Sequence, residues 1–188
     1  MQPASQPAQT YRIFVGVFPQ GAETEEIQAL RLRYDRQTAR ITPPHVTLAG
    51  TYWRGGPATP ENEALTVQAL ETARLKIQPF ELILGGIRTF TTQSNPVIFL
   101  EAAITPGLLS ARMALLEAIG VDKHTDFHAH MTLAMRLEQP AARRMLDDLR
   151  GSRWDTGIIR IAIDQLWLMQ RGLHDPAWRN IHTLKLSG

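Results

Sequence analysis

Two short stretches of this 188-residue chain carry one pattern, His45-Val46-Thr47-Leu48 and His130-Met131-Thr132-Leu133. Both sit in apolar runs, residues 44–51 and 129–135, of the residue types that favour strands. Side chains alternate faces along a strand, so each histidine shares a face with the threonine two positions on, about 7 Å away. Val46, Leu48, Met131 and Leu133 then point to the other face and can anchor the strands in a core. An imidazole exchanges protons near neutral pH, and a hydroxyl donates a neutral hydrogen bond. Two such pairs facing one another supply a base, an acid and two donors for growing negative charge. That set suits the in-line opening of a phosphodiester without a metal. A lone histidine in an apolar strand is ordinarily a satisfied structural residue; the repetition is what turns the reading toward chemistry.

The flanking segments must position these pairs. Residues 11–18 (YRIFVGVF) predict a buried strand, and Ile27, Leu30 and Tyr34 recur at helical spacing, with Thr24 as N-cap and an end near residue 37. After the first motif, Gly55, Gly56 and Pro57 break the strand, and Thr59-Pro60 opens a helix whose core face is Leu65, Val67, Leu70 and Ala73. Residues 80–84 predict a strand closed by Gly85-Gly86, and 87–90 and 96–102 two more around a polar turn. Thr105-Pro106 opens a helix with Leu109, Met113 and Leu116 inward, ending at Gly120. Beyond the second motif, Pro140 begins a helix carrying Ala142, Met145, Leu146 and Leu149, stopped by Gly151. Residues 157–163, 165–171 and 179–186 predict three further strands. Strand–helix–strand–helix–strand thus occurs twice.

The expected class is α+β: two pseudo-symmetric lobes, each an antiparallel sheet with helices on its outer face, around a central cleft carrying both His-x-Thr motifs. Residues 1–10 read as a flexible tail, and 11–188 as a single bilobal domain with lobes of roughly 11–86 and 87–188, with room for strand exchange.

Twenty Lys and Arg against 18 Asp and Glu leave a formal charge of only +2, too little for a protein that coats nucleic acid, yet compatible with one phosphate-handling cleft. Basic residues do cluster at Arg31, Arg33, Arg36 and Arg40. The lack of cysteine removes disulfides, thiolate nucleophiles and cysteine-based zinc sites. No apolar run approaches the roughly 20 residues of a membrane span, and the opening residues lack the basic start and apolar centre of a signal peptide. The expectation is a cytoplasmic protein with no membrane partner.

Two His-x-Thr-Leu strands in a chain of this size resemble the 2H phosphoesterase superfamily, in its LigT-like branch of 2′-5′ RNA ligases and RNA 2′,3′-cyclic phosphodiesterases. The opening strand 13–18, Pro44 before the first motif, the Gly-Ile-Arg-Thr-Phe of 86–90 and the strand 166–171 carry the resemblance further. The chain departs from the family pattern at Ala129, where proline is common, and at Met135, where arginine is common and Arg136 stands one position late. Around Gln170-Arg171 the usual serine is replaced. The resemblance implies that His45 and His130 form an acid–base pair and that Thr47 and Thr132 bind phosphate. It implies metal-independent hydrolysis of 2′,3′-cyclic phosphates on RNA ends or nucleotides to 2′-phosphates, with 2′-5′ RNA ligation as the reverse reaction. No cofactor, metal or obligate protein partner is expected.

Other residues are candidates beside these. Trp53 shares the strand parity of His45 and Thr47 and suits stacking on a nucleobase at the cleft mouth, with Tyr52, Phe18 and Phe90 as rivals. Arg136 is a candidate for substrate phosphates, as are Arg54, Arg88, Lys123 and Arg171. His124, His128 and His130 have metal-ligand spacing, but only Asp126 adds a nearby carboxylate. Two other functions compete: a phosphodiesterase acting on a different small cyclic phosphate, and a non-catalytic RNA-binding module.

Overall fold

Alternation along the first strand sorts the molecule into two faces. The computed structural model describes residues 12–50, 59–90, 95–120, 126–172 and 174–187. In β1 (Arg12–Val17), Ile13, Val15 and Val17 enter the main core, while Phe14 turns to the opposite face, where Phe18 joins it. There follow α1 (Ala22–Tyr34), α2 (Arg36–Ile41), β2 (Val46–Ala49), α3 (Pro60–Arg74), β3 (Phe80–Phe90), β4 (Val97–Ala102) and α4 (Pro106–Ile119). The rest are β5 (His130–Ala134), α5 (Gln139–Leu149), α6 (Arg153–Thr156), β6 (Ile158–Ile163), β7 (Gln165–Arg171) and β8 (Arg179–Lys185). The α+β class read from the sequence is the class observed.

All strand pairs are antiparallel, and they form one eight-stranded sheet in the order β6-β3-β4-β5-β2-β1-β7-β8. β6 is an edge strand and β7 lies next to the other edge, yet only Asp164 separates them in the chain. One residue spans at most about 3.6 Å, so the sheet must curl until its two ends approach. Leu70, Ala73, Leu108, Ala111, Leu115, Ala142, Met145 and Trp154 bring the helices into the same core as Val46, Leu48, Met131 and Leu133. The helices therefore cover one face and leave the other to the histidines and threonines. Among the described residues, no helix is long and apolar enough to cross a membrane.

Local differences from the sequence reading have physical causes. The first helix starts at Gly21, whose φ of 103° breaks the chain, so Thr24 lies inside the first turn and caps nothing. Asp35 then splits the expected helix: its side chain accepts from the Thr38 N–H and caps α2. Thr59 and Thr105 do cap α3 and α4. On α4 the buried side is Leu108, Ala111, Arg112 and Leu115, whereas Leu109 and Met113 are exposed; Leu65 of α3 is exposed as well. Residues 80–90 form one strand, not two, and the expected lobe boundary at 86–87 falls inside it. Gly86, at φ +75°, carries a bulge against β4. The extra residue flips strand parity, so Leu84 and Ile87 both join the core while Phe90 emerges among the histidine rings.

Candidate active site

The two motifs become neighbours at the centre of the sheet. β2 and β5 pair antiparallel through Val46 and Met131, both fully buried. That register sets His45 across from Thr132 and Thr47 across from His130, all on the face away from the helices. One strand spacing and two residue rises separate the histidines, about 8 Å between Cα atoms. The seam is short, and one carbonyl beside it finds its partner from behind: the buried Arg112 of α4 donates to the Leu48 carbonyl and lies 4.0 Å over the Phe127 ring.

Both imidazoles are held alike. His45 Nδ1 lies 2.8 Å from the Pro43 carbonyl and His130 Nδ1 2.6 Å from the His128 carbonyl. A carbonyl can only accept, so each Nδ1 carries the hydrogen and each neutral ring has its lone pair on Nε2. Phe14 and Phe18 stack on His45 at 5.0 and 5.1 Å between centroids. Phe90 and Phe99 flank His130 at 5.0 and 5.1 Å.

The surroundings of the two rings differ in charge. Burial, with the nearby positive charges of Arg31 and His130, lowers the pKa of His45 to about 4, against the opposing hydrogen bond to Pro43. His45 is thus neutral at pH 7. His130 instead has Glu101 as its cross-strand partner, and that carboxylate lies 3.5 Å from Arg88 and 3.6 Å from His128.

His45, Thr47, Thr132 and Arg136 line one pocket of about 320 Å³. Its wall is built from the α1–α2 junction. Arg31, 1% exposed, donates to the carbonyls of Thr42 (2.9 Å) and Thr38 (3.3 Å) and to Gln28 Oε1 (2.9 Å). Burial lowers its pKa to about 10, with Asp35 opposing, so it remains a cation at neutral pH. Asp35 Oδ2 accepts from the Thr38 hydroxyl (2.7 Å) and from the backbone N–H of Met135 and Arg136, both 3.0 Å. Burial pushes the Asp35 carboxyl up, but these hydrogen bonds outweigh it and hold the pKa below the ordinary value. Asp35 thereby ties α2 to the turn after β5 and fixes where Arg136 begins.

Five residues singled out in the sequence as candidates, His45, Thr47, Thr132, Arg136 and Arg171, thus line one pocket, with His130 beside them on the same face. Trp53, Tyr52, Arg54, Lys123 and His124 lie outside the described residues. Among those described, no group of three or more His, Asp or Glu side chains could hold a metal ion. Phe18 and Phe90 pack on the histidines. The reading missed Arg12, Phe14, Arg31, Asp35 and Trp178. The period-two set Arg12, Phe14, Gly16, Phe18 signals the first two; Trp178 sits in a loop, docked by its backbone N–H to the Ile41 carbonyl (2.8 Å), and had no local signal.

Known proteins resemble this chain in sequence and in fold. A Bacillus cytotoxicus protein whose name provisionally makes it a phosphoesterase is 28% identical over 173 residues, 91% of this chain and 94% of its own. An Oceanobacillus iheyensis protein with the same style of name is 30% identical, covering 92% and 96%. The crystal structure of apo E. coli LigT matches 96% of this chain and 99% of its own with a TM-score of 0.59 at 17% identity. LigT complexed with 3′-AMP matches 96% and 100% with a TM-score of 0.55 at 16% identity, which shows a common fold. The model of the 2′-5′ RNA ligase superfamily matches residues 18–175, and this chain belongs to that superfamily.

Proposed function

We propose that the protein is a metal-independent phosphodiesterase that opens 2′,3′-cyclic phosphates on RNA ends or nucleotides, leaving a 2′-phosphate. One observation carries this reading: two imidazoles, each with Nδ1 against a main-chain carbonyl, stand on neighbouring strands of one face, each with a threonine beside it. His45, neutral in the free protein, takes a proton from the attacking water through Nε2. As the new P–O bond forms, the P–O3′ bond breaks, and protonated His130 gives its Nε2 proton to the departing ribose oxygen. Exchange with solvent resets both rings. Thr47 and Thr132 donate to the non-bridging oxygens, where charge grows. With a 5′-hydroxyl in place of water, the same displacement forms a P–O5′ bond, breaks P–O3′ and gives a 2′-5′ linkage, consistent with the superfamily's name. The nucleotide bound by LigT supports a nucleotide-sized substrate.

Incubation with 2′,3′-cyclic AMP in EDTA, followed by phosphorus NMR, tests the reading. Turnover to the 2′-phosphate is expected, and His45→Ala and His130→Ala should each lose roughly 10²–10⁴-fold in kcat. Wild-type protein that binds RNA ends but turns over no cyclic phosphate would instead be a binding module.

A further inference from the structure

The pocket beside His45 holds more positive charge than one cyclic phosphate needs. Arg12, Arg31, Arg136 and Arg171 all line it, and among the described residues no carboxylate does. Arg12 and Arg171 are direct cross-strand partners on β1 and β7. Like charges facing one another across strands destabilise a sheet, and no ion pair within 4.0 Å to either is found among the described residues. Arg12 lies 5.7 Å from the Trp178 ring centroid, and Arg171 Nε donates to the Asp175 carbonyl (3.0 Å). Arg31 sits at the base, almost fully buried, and its Nε has no hydrogen-bond partner among the described residues. Buried guanidinium groups are ordinarily satisfied. Arg12 stands two residues from Phe14, whose ring stacks on His45, so the cationic wall begins one aromatic ring beyond the reacting centre.

We infer that Arg12, Arg31 and Arg171 form a second anion subsite, which takes the phosphate on the 5′ side of the terminal nucleoside while its cyclic phosphate lies between the histidines. The preferred substrate therefore carries a second phosphate: either a mononucleotide with a 5′-phosphate or an RNA chain end. This rests on the cyclic-phosphate reading above. Trp178, between Phe14 and Arg12, closes the wall of the subsite.

Three substrates separate the cases: 2′,3′-cyclic AMP, its 5′-phosphorylated form, and the dinucleotide ApA ending in a 2′,3′-cyclic phosphate. The wild type should show kcat/KM about ten- to a hundredfold higher for a doubly phosphorylated substrate, the range of charge-assisted hydrogen bonds. The gain should lie mainly in KM. Improvement with the 5′-phosphate alone identifies the terminal phosphate as the ligand; improvement with both includes the chain phosphate. Arg12→Gln and Arg171→Gln should bring the ratio toward one, whereas Arg144→Gln, on the exposed side of α5, should leave it. Equal kcat/KM for all three overturns the subsite and leaves the hydrolysis standing. Absence of any turnover overturns the hydrolysis; calorimetry then reads the subsite directly, comparing adenosine 2′,5′-bisphosphate with adenosine 2′-monophosphate. Tighter binding of the bisphosphate, weakened by the arginine variants, supports it, and equal affinity overturns it.

Discussion

Each candidate histidine is oriented by the carbonyl two residues before it, Pro43 for His45 and His128 for His130. This is a local device, available wherever an X-X-His turn enters a strand, and it leaves Nε2 as the working atom on both rings. Each ring also has two phenylalanines against it; what differs is charge, Arg31 for His45 and the cross-strand carboxylate of Glu101 for His130. The pH profile should report that asymmetry. A group with a folded pKa of about 4 is deprotonated above it, so the base form of His45 is lost only as pH falls through that value. The acidic limb of kcat/KM, which follows the free enzyme, should therefore lie near pH 4, well below the ordinary histidine value of about 6.5. A limb between pH 6 and 7 would mean that His45 is not the base. Replacing Phe18 with Ala admits water to the ring and should move the limb upward.

At the scale of elements, the sequence made the two motif strands legible because apolar and polar residues alternate cleanly in 45–48 and 130–133. That they pair with each other was not legible, since strand pairing between distant segments leaves no local trace. α4 shows the other kind of failure. Leu108 with Leu115 and Leu109 with Met113 offer two apolar stripes, and propensity cannot choose between them. The choice is made by Arg112, on the Leu108 side, which reaches the Leu48 carbonyl of the short β2–β5 seam. Arg112→Met should strand that carbonyl and cost about 1–3 kcal/mol in urea unfolding; a change under 0.5 kcal/mol would show the carbonyl has another partner. Gly16 shapes the slot itself. A Cβ there would stand 2.9 Å from the Val46 carbonyl oxygen and 3.1 Å from the Phe14 ring. The backbone atom cannot yield without shifting β2, so Gly16→Ala should displace His45 and cut kcat at least tenfold. Unchanged kcat at full stability would show that the β1–β2 spacing is not what sets the ring.

Across the whole molecule, charge is distributed against its own average. The chain as a whole carries only +2, while the pocket by His45 gathers four arginines and, among the described residues, no carboxylate. The single-residue link at Asp164 forces the sheet to curl, and Arg12 and Arg171 meet as partners within it, far apart in sequence. A protein organised this way should feel the few phosphates that enter the pocket and little of the chain beyond. Each phosphate neutralised on single-stranded nucleic acid contributes about −0.7 to the slope of log affinity against log salt. Two engaged phosphates predict a slope of about −1.4, measured with RNA ends bearing a 2′,3′-cyclic phosphate bound to His130→Ala protein. That slope should stay constant as the RNA grows from two nucleotides to ten. A slope that steepens with each added nucleotide would place the binding charge over the wider surface, and the pocket would no longer account for recognition.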